Sequence, residues 1–210
     1  VRAMQLLIRL AVNENSQNSN NSTGTLLGLF RIGPEWAATE SPPEIRLPAF
    51  QKLLRADNDA VRRLGLKAAE ASLDTRGLGF RIVGPEYQGL KERAKLWVPE
   101  TYGDWWQAQF TYFQTLVNET KNWPSHLRPE VCNALLNAVE QQIQTPCCTE
   151  LAFQVLDLLI NDESMLSKKL NSFSKPISLD SLNLTDSQSK LLTDKSNNIT
   201  LNLDKSNLNT

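Results

Sequence analysis

The chain has 210 residues, 40% of them hydrophobic, with 22 basic and 23 acidic side chains and a formal net charge of -1. That length supports one domain with a sizeable core plus appendages. Near neutrality supplies no global basic field to hold nucleic acid, and no run of 18 apolar residues is present to span a bilayer. Three cysteines, Cys132, Cys147 and Cys148, are an odd number in a chain this long and do not read as a disulfide framework. A reducing cytoplasm is therefore expected, with the Asn-x-Ser/Thr matches at Asn20, Asn21, Asn118, Asn183 and Asn198 unglycosylated. The sequence opens at Val1 directly into an amphipathic stretch, and the apolar run from Met4 to Val12 is too short for a signal peptide and is broken by Gln5 and Arg9. The expectation is a fragment of a longer polypeptide.

Met4, Leu7, Ile8 and Ala11 predict one stripe on an opening helix. The polar run from Asn13 to Ser22 predicts a flexible loop over 13–24. Thr25 to Phe30 predicts a short helix that packs back, and Arg31 to Pro43, with Gly33-Pro34 and Pro42-Pro43, a connector. Glu44 to Leu73 then predicts two short helices joined by a polar turn. In the first, Ile45, Leu47, Phe50, Leu53 and Leu54 lie near one face, with Pro48 requiring a late start or a bend. Ala56-Asp57-Asn58-Asp59 supplies turn and capping residues. The second helix turns Val61, Leu64, Ala68 and Leu73 inward and Arg62, Arg63, Lys67 and Glu70 mostly outward.

This short helix, Asp57-Asn58-Asp59-Ala60-Val61-Arg62-Arg63 and an Ala/Leu-rich helix resemble one HEAT repeat. The resemblance covers about 30 residues and is carried by fold, not function. It implies that Asp59 caps the second helix, that Val61 packs under the turn, and that Arg62 pairs along a solenoid. No second copy is legible at a period of about 40 residues. The arrangement is also similar to helical regions of large bacterial STAND-type signalling ATPases, although no ATP-binding motif falls inside this chain.

Asp74 to Gly103 differs in kind. Five glycines, Pro85 and Pro99 argue against a long helix, and Phe80, Ile82 and Trp97 read as anchors of a long loop over 74–103. A third helical block begins at about Asp104, with Trp106, Phe110, Phe113 and Val117 as its buried stripe. Pro129 opens the next helix, whose apolar face is Val131, Leu135, Val139 and Ile143. Thr145-Pro146 ends it, and a last helix from about Cys148 to Asn161 carries Leu151, Val155, Leu158 and Leu159. The expected fold is all-α: helical hairpins stacked as a short HEAT-like solenoid or an irregular bundle within a domain over 1–170. A low-complexity tail or linker over 171–210 follows, read as disordered, with weak strand through Ile199, Leu201 and Leu203 as the rival.

The chemistry-bearing residues form no catalytic or metal constellation. His126 is the sole histidine, which excludes a multi-histidine metal site within this chain, and its place in a turn between Trp123-Pro124 and Arg128-Pro129 reads as a surface histidine rather than a base. Cys132, Cys147, Cys148 and His126 match no zinc-finger spacing, and adjacent cysteines do not readily ligate one ion together. Gly77-Leu78-Gly79 lacks the Gly-Lys-Ser/Thr ending of a phosphate loop. No catalytic residue, metal or cofactor is expected. The candidate binding surface is aromatic and arginine-rich: Arg76, Arg81, Tyr87, Trp97, Tyr102 and Trp105, types enriched at interface hot spots. The expected function is a non-catalytic helical scaffold or protein-interaction module of a cytoplasmic protein. Its partner is another protein or other domains of the same polypeptide, not a membrane or nucleic acid. The alternative is a small-molecule or nucleotide sensor using the 74–105 loop, with a pocket lined by Arg76, Arg81 and Tyr87.

Overall fold

A computed structural model describes residues 2–15, 21–32, 39–75 and 97–160. Among these residues the structure is all-helical, with seven α-helices, one 3-10 turn and no strand. The helices are α1 (Arg2–Asn13), α2 (Ser22–Gly28), α3 (Pro43–Leu54), α4 (Asp59–Leu73), α5 (Tyr102–Thr120), α6 (Arg128–Gln142) and α7 (Thr149–Ile160). The expected tail over 171–210, the alternating Ile199, Leu201 and Leu203, and the anchors Phe80 and Ile82 lie outside the described residues. No helix among the described residues is long and apolar enough to cross a membrane.

The polar run after α1 does more than connect. Asn21 caps α2, its side-chain oxygen accepting from the Gly24 amide at 2.9 Å. Glu14 accepts from the Ser22 amide at 2.7 Å, the Thr23 amide at 3.0 Å and the Thr23 hydroxyl at 2.7 Å. Partial burial raises the Glu14 carboxyl, but the hydrogen bonds from Thr23 and Ser22 outweigh it and hold the group down at about 2. Helix α2 therefore starts at Ser22, inside the stretch expected to be loop over 13–24, because its otherwise orphan amides find two side-chain acceptors.

Helix α3 begins at Pro43 and continues through Pro48, an exposed position where the carbonyl one turn back loses its donor. Phe50, Leu53 and Leu54 are buried as expected, whereas Ile45 is 66% exposed. Arg46 takes the inward place instead. Its Nη1 donates to the carbonyls of Leu29 at 2.7 Å and Arg31 at 2.9 Å, tying down the chain just beyond the C-terminal end of α2. Burial lowers the Arg46 pKa from its usual value, with Tyr112 and Glu44 pulling the other way.

At the α3–α4 turn the cap is Asn58, not Asp59: the Asn58 side-chain oxygen accepts from the amides of Ala60 at 2.9 Å and Val61 at 3.2 Å. Asp59, one residue further on, is already in the helix. Its carboxylate pairs with Arg62 at 3.2 Å and with His126 Nε2 at 2.6 Å, and the His126 hydrogen bond leads the interactions that hold its pKa down. Arg62 thus pairs within its own helix and lies over the Trp123 ring at 5.7 Å, while Arg63 reaches α6 and forks onto Glu130 at 2.8–3.0 Å. Val61 is partly buried and packs against the core.

Three side-chain contacts between α4 and the chain from His126 to Asn137 share one spacing. Asp59–His126, Arg63–Glu130 and Glu70–Asn137 each span 67 residues. A constant offset means that α4 and α6 lie side by side and run in the same direction. Near their far ends Gln142 Nε2 donates to the Leu73 carbonyl at 2.7 Å. Helix α3 and α5 are tied in the same sense, through Tyr112 Oη to the Pro43 carbonyl at 2.9 Å and Arg55 to Glu119 at 2.5–2.7 Å.

Helix α5 starts at Tyr102, two residues before the expected Asp104, because Thr101 and Asp104 form a capping box with both reciprocal bonds present. Its buried face is centred on Gln109, Tyr112, Phe113, Leu116 and Thr120. Trp106 and Phe110 of the expected stripe are only half-buried, since the helix is flanked by α3, α4 and α6 together and buries more than one stripe. In α7, Ala152, Phe153 and Val155 face the core, while Leu158 is 58% exposed. One continuous core joins these helices, with Phe50 between Phe30 and Tyr112 at ring-centroid distances of 6.0 and 5.0 Å.

Gln109 is an exception to good core chemistry. It is fully buried, and among the described residues neither its amide nitrogen nor its oxygen has a hydrogen-bond partner. Burying an unsatisfied amide costs about 1–3 kcal/mol. Gln109→Met, nearly isosteric and apolar, is expected to stabilise the chain by about that amount. Urea denaturation measures it, and a lower midpoint in the variant would show that the amide is satisfied in solution.

Candidate functional site

The candidate site is a groove of about 620 Å³ between the N-terminal end of α3, the segment 97–101 and the first turns of α5. Asp104, Gln107, Ala108 and Thr111 line it along one face of α5, at the spacing of three and four residues that places side chains on a common stripe. Pro43 and Glu44 line it from α3, and Tyr112 reaches it from α5. The segment opposite is fixed in place by the backbone: the Trp97 amide donates to the Thr39 carbonyl at 3.0 Å, and the Thr39 hydroxyl donates to the Ser41 carbonyl at 2.9 Å.

Four carboxylates line the groove, from Glu40, Glu44, Glu100 and Asp104, and none of its described lining residues is basic. Asp104 is engaged in the α5 cap. Tyr112 is buried, which pushes its phenol up to about 12 and keeps it a neutral donor to the Pro43 carbonyl. Trp97 contributes a partly buried indole, and Val98 beside it is 56% exposed.

Of the residues expected to form a binding surface, the structure brings three to this end of the molecule. Trp97 lines the groove. Tyr102 is 69% exposed, and its ring lies 6.2 Å from Trp105 and 6.1 Å from Trp106. Trp105 faces inward, its indole N–H donating to the Ile32 carbonyl, so it anchors the chain after α2. Arg76, Arg81 and Tyr87, with the sensor pocket they were expected to line, lie outside the described residues. Sequence reasoning missed Glu40, Glu44, Gln107 and Thr111. A usable signal was present in α5, where Asp104, Gln107 and Thr111 fall on one polar stripe at helical spacing.

A second groove, of about 650 Å³, lies where α1 meets the end of α3 and the start of α4. Arg9, Lys52, Arg55 and Asp57 line it, with Ile8, Leu53 and Val61 as apolar surface. Arg55 is committed to a bidentate pair with Glu119. Comparison with known protein families, characterised proteins and solved structures finds no match for this chain.

Proposed function

We propose that the chain is a non-catalytic helical interaction module of a cytoplasmic protein, and that it docks a cationic segment of a protein partner in the groove between α3 and α5. The observation that carries this reading is the groove's lining: four carboxylates around a tryptophan, with no basic side chain among the described lining residues. Such a surface attracts lysine or arginine side chains by charge, packs their aliphatic stems, and offers an indole face to the cationic head. The odd number of cysteines, three in all, supports the reducing-compartment part of this reading.

The architecture supports a stacked-hairpin reading within this proposal. The α3–α4 pair and the α5–α6 pair run in the same sense, with the 67-residue offset linking α4 to α6. Parallel stacking of successive helix pairs is what a HEAT-like solenoid requires, and it leaves one hairpin end of each layer free to build a groove.

The test uses two fluorescent peptides of equal length, one of alternating lysine and leucine and one of alternating glutamate and leucine. The full chain is expected to bind the lysine peptide with a change in tryptophan emission and an affinity that falls with salt. Trp97→Ala, and Glu40→Lys combined with Glu44→Lys, should each weaken binding about tenfold or more. Equal binding of the glutamate peptide, or no effect of either variant, would overturn the proposal.

A further inference from the structure

The turn between α6 and α7 contains Cys147 and Cys148. The Cys148 side chain is wholly buried, and Cys147 is exposed. The two sulfurs nevertheless converge, with Sγ atoms 3.9 Å apart. The Cys147 thiol also donates to the Trp106 carbonyl at 3.1 Å, which brings the pair against the first turns of α5.

Adjacent residues have Cα atoms about 3.8 Å apart, short of the roughly 4.4–6.8 Å that an ordinary disulfide spans. A direct sulfur–sulfur bond is therefore the poorer way to join these thiols. One inserted atom fits better. Two bonds of about 2.3 Å to sulfur, the length of a zinc–thiolate bond, meet at about 115° across a 3.9 Å gap, between tetrahedral and trigonal geometry. Among the described residues no group of three His, Cys, Asp or Glu side chains comes together to complete a metal cage. Two sulfurs are what the described residues supply, and an occupant held by them alone carries its own remaining substituent.

We propose that Cys147 and Cys148 form a two-thiol chelating site for a thiophilic metalloid, a trivalent arsenical being the class that takes two thiolates and keeps one substituent of its own. With an arylarsenoxide the reaction is a condensation. Two S–H bonds break and two As–S bonds form, the arsenoxide oxygen leaves with both thiol protons as water, and no oxidation state changes. Burial, followed by the neighbouring Cys147, raises the Cys148 thiol well above its ordinary value, so the exposed Cys147 reacts first. Cys148 then closes the ring as an intramolecular partner at high effective concentration.

The probe is phenylarsine oxide added to the full chain. Intact-mass spectrometry should show one adduct per chain with loss of two titratable thiols. A dithiol should strip the adduct, and an equivalent concentration of monothiol should not. Cys147→Ala and Cys148→Ala should each weaken retention about 100-fold or more, whereas Cys132→Ala should retain it. Circular dichroism establishes that each variant is folded, and Cys148→Ser provides a second probe of the buried position. A monothiol-labile adduct on the wild-type chain, retention in folded Cys148→Ala, or loss in folded Cys132→Ala would overturn the proposal.

Discussion

Phe50→Ala is expected to lower stability by about 3–5 kcal/mol, the usual cost of emptying a buried aromatic site. Phe50 has no exposed surface, stacks on Tyr112 from α5 and meets Phe30, from the chain after α2, at a tilt, so its ring is shared by three parts of the molecule. Neighbouring rings cannot collapse into the space without leaving their own contacts. Tyr112 is held by its hydroxyl bond to the Pro43 carbonyl. Against a typical total of about 5–15 kcal/mol, the loss is a large share of the whole. Chemical denaturation of the wild type, Phe50→Ala and Phe50→Leu would measure it. Phe50→Leu should lose clearly less because it refills most of the site, and equal losses would show that the ring contacts rather than the buried volume set the cost.

Gly65→Ala should destabilise as well, although alanine is the better helix former by about 1 kcal/mol. A Cβ at Gly65 would stand 2.9 Å from Leu54 Cδ2, 3.2 Å from the Leu53 carbonyl carbon and 3.2 Å from the Leu54 amide nitrogen. The leucine methyl can move, but two of the three neighbours are α3 backbone. Accommodating the methyl therefore forces α4 away from α3 along their contact. Overpacking of this kind costs about 1–3 kcal/mol, and with backbone on two sides the upper part of that range applies, so the net expected loss is up to about 2 kcal/mol after the propensity gain. A thermal midpoint equal to or above wild type would show that the two helices are not held at this approach in solution. Gly65 was read in sequence only as one position of an Ala/Leu-rich helix. Its role comes from a contact across the hairpin, which no local pattern encodes.

Several features were legible because they are local. Helical periodicity identified Leu64, Ala68 and Leu73 of α4 and Val131 and Val139 of α6 as buried. Pro129 opens α6, and Asp104 belongs to the first turn of α5, as their types favour. The polar turn before α4 does cap it, although one residue earlier than the resemblance implied. Where two apolar faces competed, periodicity failed. Ile45 and Leu158 fit their stripes and are exposed, whereas Arg46 fits none and is buried. Arg46 turns inward because two carbonyls beyond the end of α2 need a donor there, and those carbonyls come from 15 and 17 residues away.

The offset between α4 and α6 and the sites share that non-local origin. A search at about 40 residues shows no second unit, yet α4 and α6 are matched at 67, with a long intervening segment between the two hairpins. Nothing in the spacing of Glu40, Glu44, Trp97 and Asp104 announces that they line one groove. Adjacent cysteines were read as poorly able to share a ligand, and the turn after α6 instead points both sulfurs into one 3.9 Å gap.

The sequence by itself therefore determined the all-helical class of the described residues, the existence and approximate bounds of most helices, and their caps. These depend on hydrogen bonds and apolar spacing within a few residues. Only the tertiary structure decided which of several apolar faces is buried, how close α3 and α4 approach, and which carboxylates and thiols meet. Those outcomes depend on packing between segments tens of residues apart, where volume, backbone access and charge act together and no local periodicity records them.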